Sequence, residues 1–234
     1  MIVNDKNQND IMRQELLNSF EIDNFFESKP INRFKNKPTI ENINSNLSVL
    51  QVKIKNISNC KLKDNATKMV FGDGDFKSPI MIVGEGPGQK EDELGKPFMG
   101  EAGQLLNKML NAINIKRESI YITNVVNFRP PNNRKPESGE IKKYSNFLKS
   151  HISIIDPKIL VLMGSTAMES LFGSKIKISK ERGNWKEVII SNKTFCTMIT
   201  FHPAYLLRQA DQKKYSWMDL KKIRNKIDEL GINF

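Results

Sequence analysis

A glycine-rich loop at residues 84–103 carries much of the chemistry that this sequence can offer. It follows an apolar run at residues 80–83 and leads into a helical pattern from Gln104. A loop between a strand and a helix lies at the carboxyl edge of a sheet, where α/β proteins bind their ligands. Its glycines let the backbone approach a ligand, and its acids Glu85 and Glu91 can position water or transfer protons.

Three further polar clusters also follow apolar, strand-like runs. They lie at residues 123–136, 164–166 and 201–208, and they contain Asn124 and His202. Parallel strands end at the same edge of a sheet, so the four clusters are expected to converge on one site. Four converging polar clusters are more than packing alone requires.

The predicted helices and strands must position these clusters. Along the sequence, strand-like runs alternate with helical segments. Strands are predicted at residues 80–83, 120–126 and 158–163, with a hairpin formed by residues 186–190 and 195–200. Helices are predicted at residues 102–113, 137–155, 165–172, 203–209 and 212–230. This alternation predicts an α/β fold whose mostly parallel sheet is covered by helices on both faces.

The composition favours a polyanionic partner and argues against several classes of protein. The net charge of +11 favours nucleic acid first and an anionic membrane surface second, although a plain solvated basic surface is an equal alternative. The two cysteines, Cys60 and Cys196, form no CxxC pair, which argues against structural zinc and a disulfide scaffold. Without a signal-peptide pattern or an apolar run of membrane-spanning length, we expect a cytoplasmic protein that does not bind a membrane.

Taken together and in this order, the motifs resemble the uracil-DNA glycosylase superfamily, and most closely its family 4. The matching segments are Gly84-Glu-Gly-Pro-Gly88 with Glu91-Asp92, residues 95–106, 121–126 and 160–164, Arg129-Pro-Pro-Asn-Asn-Arg134, and His202-Pro-Ala-Tyr-Leu-Leu-Arg208. The resemblance covers residues 50–222. It implies a three-layer α/β/α fold with a central, mostly parallel four-stranded sheet. It also implies hydrolytic removal of uracil from DNA, the first step of base excision repair.

Such a reaction needs a donor at the departing base and a carboxylate or water at the sugar. The resemblance implies that His202 donates a hydrogen bond to the departing base, through an N–H directed at the O2 oxygen of uracil. The alternative is that this lone histidine simply caps a helix. Glu85 and Glu91 are the candidate catalytic acids, and Glu91 could instead exclude thymine. The best-known uracil glycosylases place an Asp where this chain has Gly86. The sequence therefore does not decide which carboxylate is catalytic, and we favour Glu85.

Three residues are expected to bind the base itself. Asn124 offers a donor and an acceptor that complement uracil and reject cytosine, although an Asn can also close a turn after a strand. Phe98 is the candidate stacking platform, with an ordinary core role as its alternative. Gly86 belongs to the same substrate pocket by its place in the loop.

Five residues are expected to contact the rest of the DNA. Ser165 and Thr166 open a helix and would bind phosphate, cap the helix, or do both. Leu206 or Leu207 would fill the gap left by the extruded base and Arg208 would contact phosphate, although the leucines could equally form a packing face.

The resemblance breaks down at the iron–sulfur cluster that family 4 enzymes usually carry. The four matching positions hold Ile57, Cys60, Phe128 and Tyr144, so only one thiolate is present where a cluster needs about four. We therefore expect no metal and no cofactor, with the bulky replacements filling the space.

Residues 1–45 differ in composition from the rest of the chain. They are rich in Asn, Lys, Asp and Glu, and their apolar residues are spaced loosely as one face of a helix. We expect a helical, partly flexible extension there and a catalytic domain at residues 46–234. The protein is expected to be a monomer whose extension docks on the domain or binds a repair or replication protein.

The alternative from another class is a DNA-binding subunit with the same fold and weak or absent catalysis. The retained Asn124, Phe98 and His202 argue against it. A nucleotide-dependent enzyme is disfavoured because Pro87 interrupts the glycine motif and no GK[ST] follows. A covalent-trapping relative is disfavoured because residues 129–136 hold no histidine.

Overall fold

The computed structural model describes residues 40–233 of the chain. Residues 1–39, which hold most of the predicted extension, lie outside the described residues. The first described element is helix α1, Ile40–Lys55, which runs across the boundary predicted at residue 46. The boundary at residue 46 stays a prediction.

A twisted sheet forms the centre of the fold. Its strands are β1 (Asp73–Gly74), β2 (Ile80–Gly84), β3 (Tyr121–Asn124), β4 (Ile159–Met163), β5 (Trp185–Ile190) and β6 (Lys193–Thr200). The order across the sheet is β1-β3-β2-β4-β6-β5. The four inner strands are parallel, and β1 and β5 pair antiparallel at the two edges.

The prediction of an α/β fold with a mostly parallel sheet is confirmed, but the sheet has six strands and not four. The two extra strands extend the predicted parallel centre as antiparallel edges. Strand β5 reaches β6 through Ser191 and Asn192, whose positive φ angles of 50° and 63° are those of a tight hairpin turn. Strand β1 has only two residues, too few to produce a recognisable pattern.

The helices cover both faces of the sheet. The remaining ones are α2 (Lys61–Asn65), α3 (Gln89–Leu94), α4 (Glu101–Asn111), α5 (Ser138–Ile155), α6 (Ser165–Phe172), α7 (Ile178–Glu181), α8 (Pro203–Arg208) and α9 (Lys213–Glu229). Within residues 40–233, no helix combines the length and the apolar character that crossing a bilayer requires.

Alternate strand residues belong to two separate hydrophobic cores, as the period of a strand dictates. In β2, Met81 and Val83 pack into the core that α1, α2 and α5 close. Ile80 and Ile82 point to the other face, where they pack with α4 and α9. Because every residue of β2 and β4 is buried, the parallel strands read as continuous apolar runs. This three-layer arrangement holds the carboxyl ends of the strands at one edge.

Candidate active site

A cavity of about 680 Å³ lies at the carboxyl edge of the parallel strands. Its wall is contributed by all four predicted clusters. Eight of the predicted site residues line it: Glu85, Gly86, Glu91, Phe98, Asn124, Ser165, His202 and Arg208. Thr166, Leu206 and Leu207 do not. The predicted convergence of the four clusters is therefore present in the structure.

Gly84, at the end of β2, allows the base-binding side chains to meet. A Cβ atom at this position would lie 2.4 Å from Oδ1 of Asn124 and 2.6 Å from the ring of Phe98. Neither neighbour could withdraw without leaving the cavity wall. Glycine is therefore the residue that lets an amide and a phenyl ring approach the same strand end.

Asn124 ends strand β3 and is only 3% exposed. Its Nδ2 atom is buried without a hydrogen-bond partner among the described residues. An unpaired buried amide costs on the order of 1–3 kcal/mol, which a ligand that accepts its hydrogen bond would recover. Asn124 lines the cavity, so its unpaired amide lies in the cavity wall.

His202 caps helix α8 and is held in a defined tautomer. Its Nδ1 atom accepts a hydrogen bond of 3.2 Å from the backbone N–H of Ala204, so a neutral ring carries its proton on Nε2. Burial, and then the positive charge of Arg208, lowers the pKa of His202 to about 4, although Glu91 acts in the opposite direction. The ring is therefore neutral at pH 7 and presents one N–H donor.

Phe98 is buried and stacks on His202. Their ring centroids are 5.4 Å apart and the ring planes differ by 26°. Phe98 has a φ of +55°, which is strained for a residue with a Cβ and must be held by its surroundings. The ring is thus fixed beside the imidazole.

Glu91 supplies part of the restraint on the Phe98 turn. Its Oε1 atom accepts hydrogen bonds from the N–H groups of Met99 (2.7 Å) and Gly100 (2.8 Å). Its Oε2 atom accepts one of 3.0 Å from the N–H of Gly88. Both oxygens are therefore committed to the backbone, and this geometry favours a positioning role for Glu91 over the catalytic role that we expected.

Arg117 restrains the same turn from the other side, and sequence reasoning missed it. Its guanidinium donates hydrogen bonds to the carbonyl oxygens of Pro97 (2.5 Å) and Phe98 (3.1 Å). Asp73 pairs with it at 3.4 Å. Arg117 lies far from every glycine-rich motif, so no spacing pattern could have found it.

Glu85 is held in place by Thr166, one of the residues predicted to contact DNA. The hydroxyl of Thr166 donates a hydrogen bond of 2.5 Å to Oε2 of Glu85. Thr166 has no exposed surface. Its side chain therefore supports Glu85, whereas Ser165, the other predicted phosphate contact, lines the cavity.

The two leucines after His202 have different environments. Leu206 is 1% exposed and packs in the core beneath α4 and α9. Leu207 is 44% exposed. The two leucines therefore differ in exposure: Leu206 belongs to a packing face, and Leu207 is at the surface. Arg208 follows at the cavity wall.

Several wall residues of the cavity were not among the predicted site residues. They include Arg134, Ile178, Ser179, Tyr205 and Gln212. Arg134 forms a paired contact with Glu140, at 2.7 and 2.8 Å, which fixes the loop after β3. Its place in the Arg129–Arg134 motif could have identified Arg134 as a cavity residue. Ser179 belongs to no motif and could not have been identified in this way.

The residues at the four cluster positions do not fit an iron–sulfur cluster. Ile57, Cys60, Phe128 and Tyr144 are all buried in one hydrophobic core. The Cys60 thiol lies 3.3 Å from the hydroxyl of Tyr144, within hydrogen-bond distance. No group of three or more His, Cys, Asp or Glu side chains in the described part of the chain could hold a metal ion. One thiol surrounded by packed apolar and aromatic groups offers too few ligands.

Several known proteins are similar to this chain. The uracil DNA glycosylase superfamily matches residues 71–222. A type-4 uracil-DNA glycosylase of Thermotoga maritima is 38% identical over 188 residues, covering 79% of this chain and 96% of that protein. One from Sulfurisphaera tokodaii is 42% identical over 174 residues, covering 70% and 77%. A DNA polymerase of Bacillus phage SP01 is 32% identical over 168 residues, covering 71% of this chain and 18% of the polymerase.

The superfamily match covers more than half of the chain, and the Thermotoga relative is matched over nearly its whole length. The matched region contains β2, β3, β4 and β6, whose ends form the cavity. The chain therefore belongs to the uracil-DNA glycosylase superfamily.

Proposed function

We propose that this chain hydrolyses the bond between uracil and deoxyribose in DNA, as a monofunctional glycosylase. The observation that carries the proposal is the unpaired amide of Asn124, buried in the same cavity wall as Phe98 and His202. Uracil presents an acceptor at O4 beside a donor at N3, which an amide complements. The type-4 glycosylases among the relatives are named for this activity.

The leaving group is stabilised at its O2 oxygen. As the bond between C1′ and N1 breaks, negative charge develops on the uracil ring. The neutral His202 ring donates from Nε2, because Nδ1 is occupied by the N–H of Ala204. A preorganised donor aimed at developing charge is worth about 10²–10³ in rate.

The sugar side of the reaction falls to Glu85. Its carboxylate faces the cavity, and Thr166 fixes one of its oxygens. A carboxylate in this place orients the attacking water and stabilises the positive charge on the sugar. Water adds to C1′ as the bond to N1 breaks, and its proton passes to the Glu85 carboxylate and from there through solvent to the uracil anion. The products are free uracil and an abasic site.

The proposal includes catalysis without an iron–sulfur cluster. The support is the packed environment of Cys60, which leaves one thiol where a cluster needs about four. The purified protein should be active while containing less than one iron atom per chain. Four iron atoms per chain, lost together with activity on chelation, would overturn this part.

Recognition of DNA falls to the exposed residues around the cavity mouth. Leu207 is placed to enter the base stack, and Arg208 and Ser165 are placed to contact phosphate. The protein is proposed to act in the cytoplasm as a monomer. Residues 1–39, outside the described residues, remain a proposed contact for a repair or replication protein.

A second candidate is a DNA-binding subunit without catalysis. The observation in its favour is the match to 18% of the length of a phage DNA polymerase. The discriminating experiment measures free uracil released from U:G, U:A and single-stranded oligonucleotides, with enzyme in excess. Release that depends on Glu85 and His202 supports the glycosylase. Tight binding to all three substrates without any release would support the subunit.

A further inference from the structure

A second groove, of about 210 Å³, lies between α4, α8 and α9. Its wall consists of Leu105, Lys108, Met109, Ala112, Leu206, Lys213, Ser216, Trp217 and Leu220. The floor is apolar and the two charged residues, Lys108 and Lys213, are both cations. Among the described residues no acid lines the groove, so its chemistry suits an apolar ring that is attached to a negative charge.

Ser216 gives this groove an unused polar group. The side chain is 2% exposed, and its Oγ atom is buried without a hydrogen-bond partner among the described residues. A helix serine normally bonds to a carbonyl one turn earlier or points into water. An unpaired buried hydroxyl costs free energy that an occupant with a polar edge would return.

Trp217 supplies a flat apolar wall. The side chain is 43% exposed although it is one of the largest in the chain. The Nζ atom of Lys221 lies 6.0 Å from its ring centroid, one turn further along α9. An exposed indole among lysines is the arrangement with which proteins stack single-stranded bases and bind the attached phosphates.

The groove and the active-site cavity are lined by neighbouring residues of the chain. Arg208 and Gln212 line the cavity, and Lys213, the next residue, lines the groove. In α8, Tyr205 lines the cavity and its neighbour Leu206 lines the groove. The two sites therefore share helix α8 and the segment that joins it to α9, and each has a basic residue there, Arg208 for the cavity and Lys213 for the groove.

We propose that this groove binds one unpaired nucleobase of the DNA strand, close to the extruded nucleotide. The base stacks on Trp217, its polar edge bonds to the Ser216 hydroxyl, and its phosphate lies between Lys108 and Lys213. The inference rests on the proposed function only in taking DNA as the ligand. It implies that single-stranded or locally opened DNA is preferred over a closed duplex.

The chain contains two tryptophans, Trp185 and Trp217, which makes a direct optical test available. The variant Trp185→Phe leaves Trp217 as the single reporter. It is titrated with a uracil-free single-stranded oligonucleotide and with a duplex of the same length. We expect strong quenching by the single strand and weak quenching by the duplex. Unchanged Trp217 emission at saturating single-stranded DNA would overturn the proposal.

A variant pair tests the energy of the contact. Trp217→Leu should weaken binding of the uracil-free single strand about tenfold or more, since one stacked base is worth about 1–3 kcal/mol. Tyr215→Leu is the matched control, because Tyr215 is an exposed aromatic residue of the same helix that does not line the groove. Equal affinities of the two variants, both with wild-type melting temperature, would also overturn the proposal.

These measurements separate the two proposals. Quenching of Trp217 and tight DNA binding without uracil release would support the base-binding groove and contradict the glycosylase activity. Uracil release by a protein whose Trp217 does not respond to DNA would do the reverse. A groove that serves a helix of another protein would also leave Trp217 silent towards DNA, and so counts against the inference.

Discussion

The hydroxyl of Thr166 donates a hydrogen bond of 2.5 Å to Oε2 of Glu85, and this bond joins the start of α6 to the loop after β2. Within residues 40–233, no other hydrogen bond reaches the carboxylate of Glu85. The direction of the carboxylate in the cavity therefore depends on a side chain that has no contact with solvent. A positioning role of this kind is separable from catalysis by mutation.

Thr166→Val should lower the rate of uracil release by about 10- to 100-fold. Valine keeps the shape of threonine and removes the donor, and one hydrogen bond to a charged group contributes about 1.5–3 kcal/mol. Thr166→Ser, which keeps the hydroxyl, should stay close to wild type. The rates are measured in single turnover with saturating enzyme. Equal rates for the valine and serine variants would show that Glu85 does not need this bond.

Thr166→Val should also have little effect when Glu85 is already changed. If Thr166 acts only through Glu85, then Thr166→Val combined with Glu85→Gln is no slower than Glu85→Gln alone. Such non-additivity is the signature of two residues in one network.

Asn124→Ala should reduce uracil release by about a hundredfold or more and leave DNA binding within a factor of two. The amide is buried at the cavity wall, so it can recognise a base only after extrusion. Asn111→Ala, at an exposed position of α4 that does not line the cavity, is the control and should excise uracil normally. An unchanged rate for Asn124→Ala would mean that the base binds elsewhere.

The stability of the protein should fall steadily as the pH is lowered from about 6.5. Burial lowers the pKa of His151 to about 3, from an ordinary value of 6.5. Between these values the unfolded chain binds a proton that the folded chain does not, so acid favours unfolding. His202, with its pKa lowered to about 4, acts in the same direction. Each group contributes up to about 1.4 kcal/mol per pH unit.

His151→Gln should flatten this dependence. Glutamine keeps a polar partner for the hydroxyl of Tyr121, which lies 2.8 Å from Nε2 of His151. The free energy of unfolding is measured by urea denaturation at pH 7, 6 and 5 for both proteins. Parallel curves over this interval would show that His151 does not stay neutral in the fold.

Tyr144→Ala should destabilise the protein strongly, whereas Cys60→Ser should change the free energy of unfolding by less than about 1 kcal/mol. Tyr144 is fully buried, and removal of a large core ring costs about 3–5 kcal/mol. Serine can keep the contact between Cys60 and the Tyr144 hydroxyl. Both values come from urea denaturation, with and without an iron chelator. A large effect of Cys60→Ser together with sensitivity to the chelator would indicate a bound metal centre.

The sequence predicted the strands and their converging ends because these depend on local patterns. The run from Ile80 to Val83 is apolar at every position, as a strand covered on both faces must be. Helix α1 was missed because, among its sixteen residues, only Leu50 and Ile54 are buried. A helix with so narrow an apolar face produces little periodic signal.

Side-chain partners across the fold could not be predicted in the same way. The hydroxyl of Thr166 meets Glu85 across 81 positions, and nothing in either segment indicates the other. Leu206 and Leu207 are chemically identical neighbours, and only the rotation of α8 buries the first and exposes the second. Such relations depend on the packed fold, so the sequence left them as alternatives.

The carboxylate of Glu91 already satisfies the backbone N–H groups of Gly88, Met99 and Gly100 before any DNA arrives. The pocket for the base is thus preorganised. The binding of uracil does not have to offset the entropic cost of ordering this loop. More of the interaction energy between uracil and the protein is then left to offset the free-energy cost of unstacking the base from the duplex. We therefore expect selectivity to arise at the moment of extrusion, when bases that fail to regain their lost stacking return to the helix.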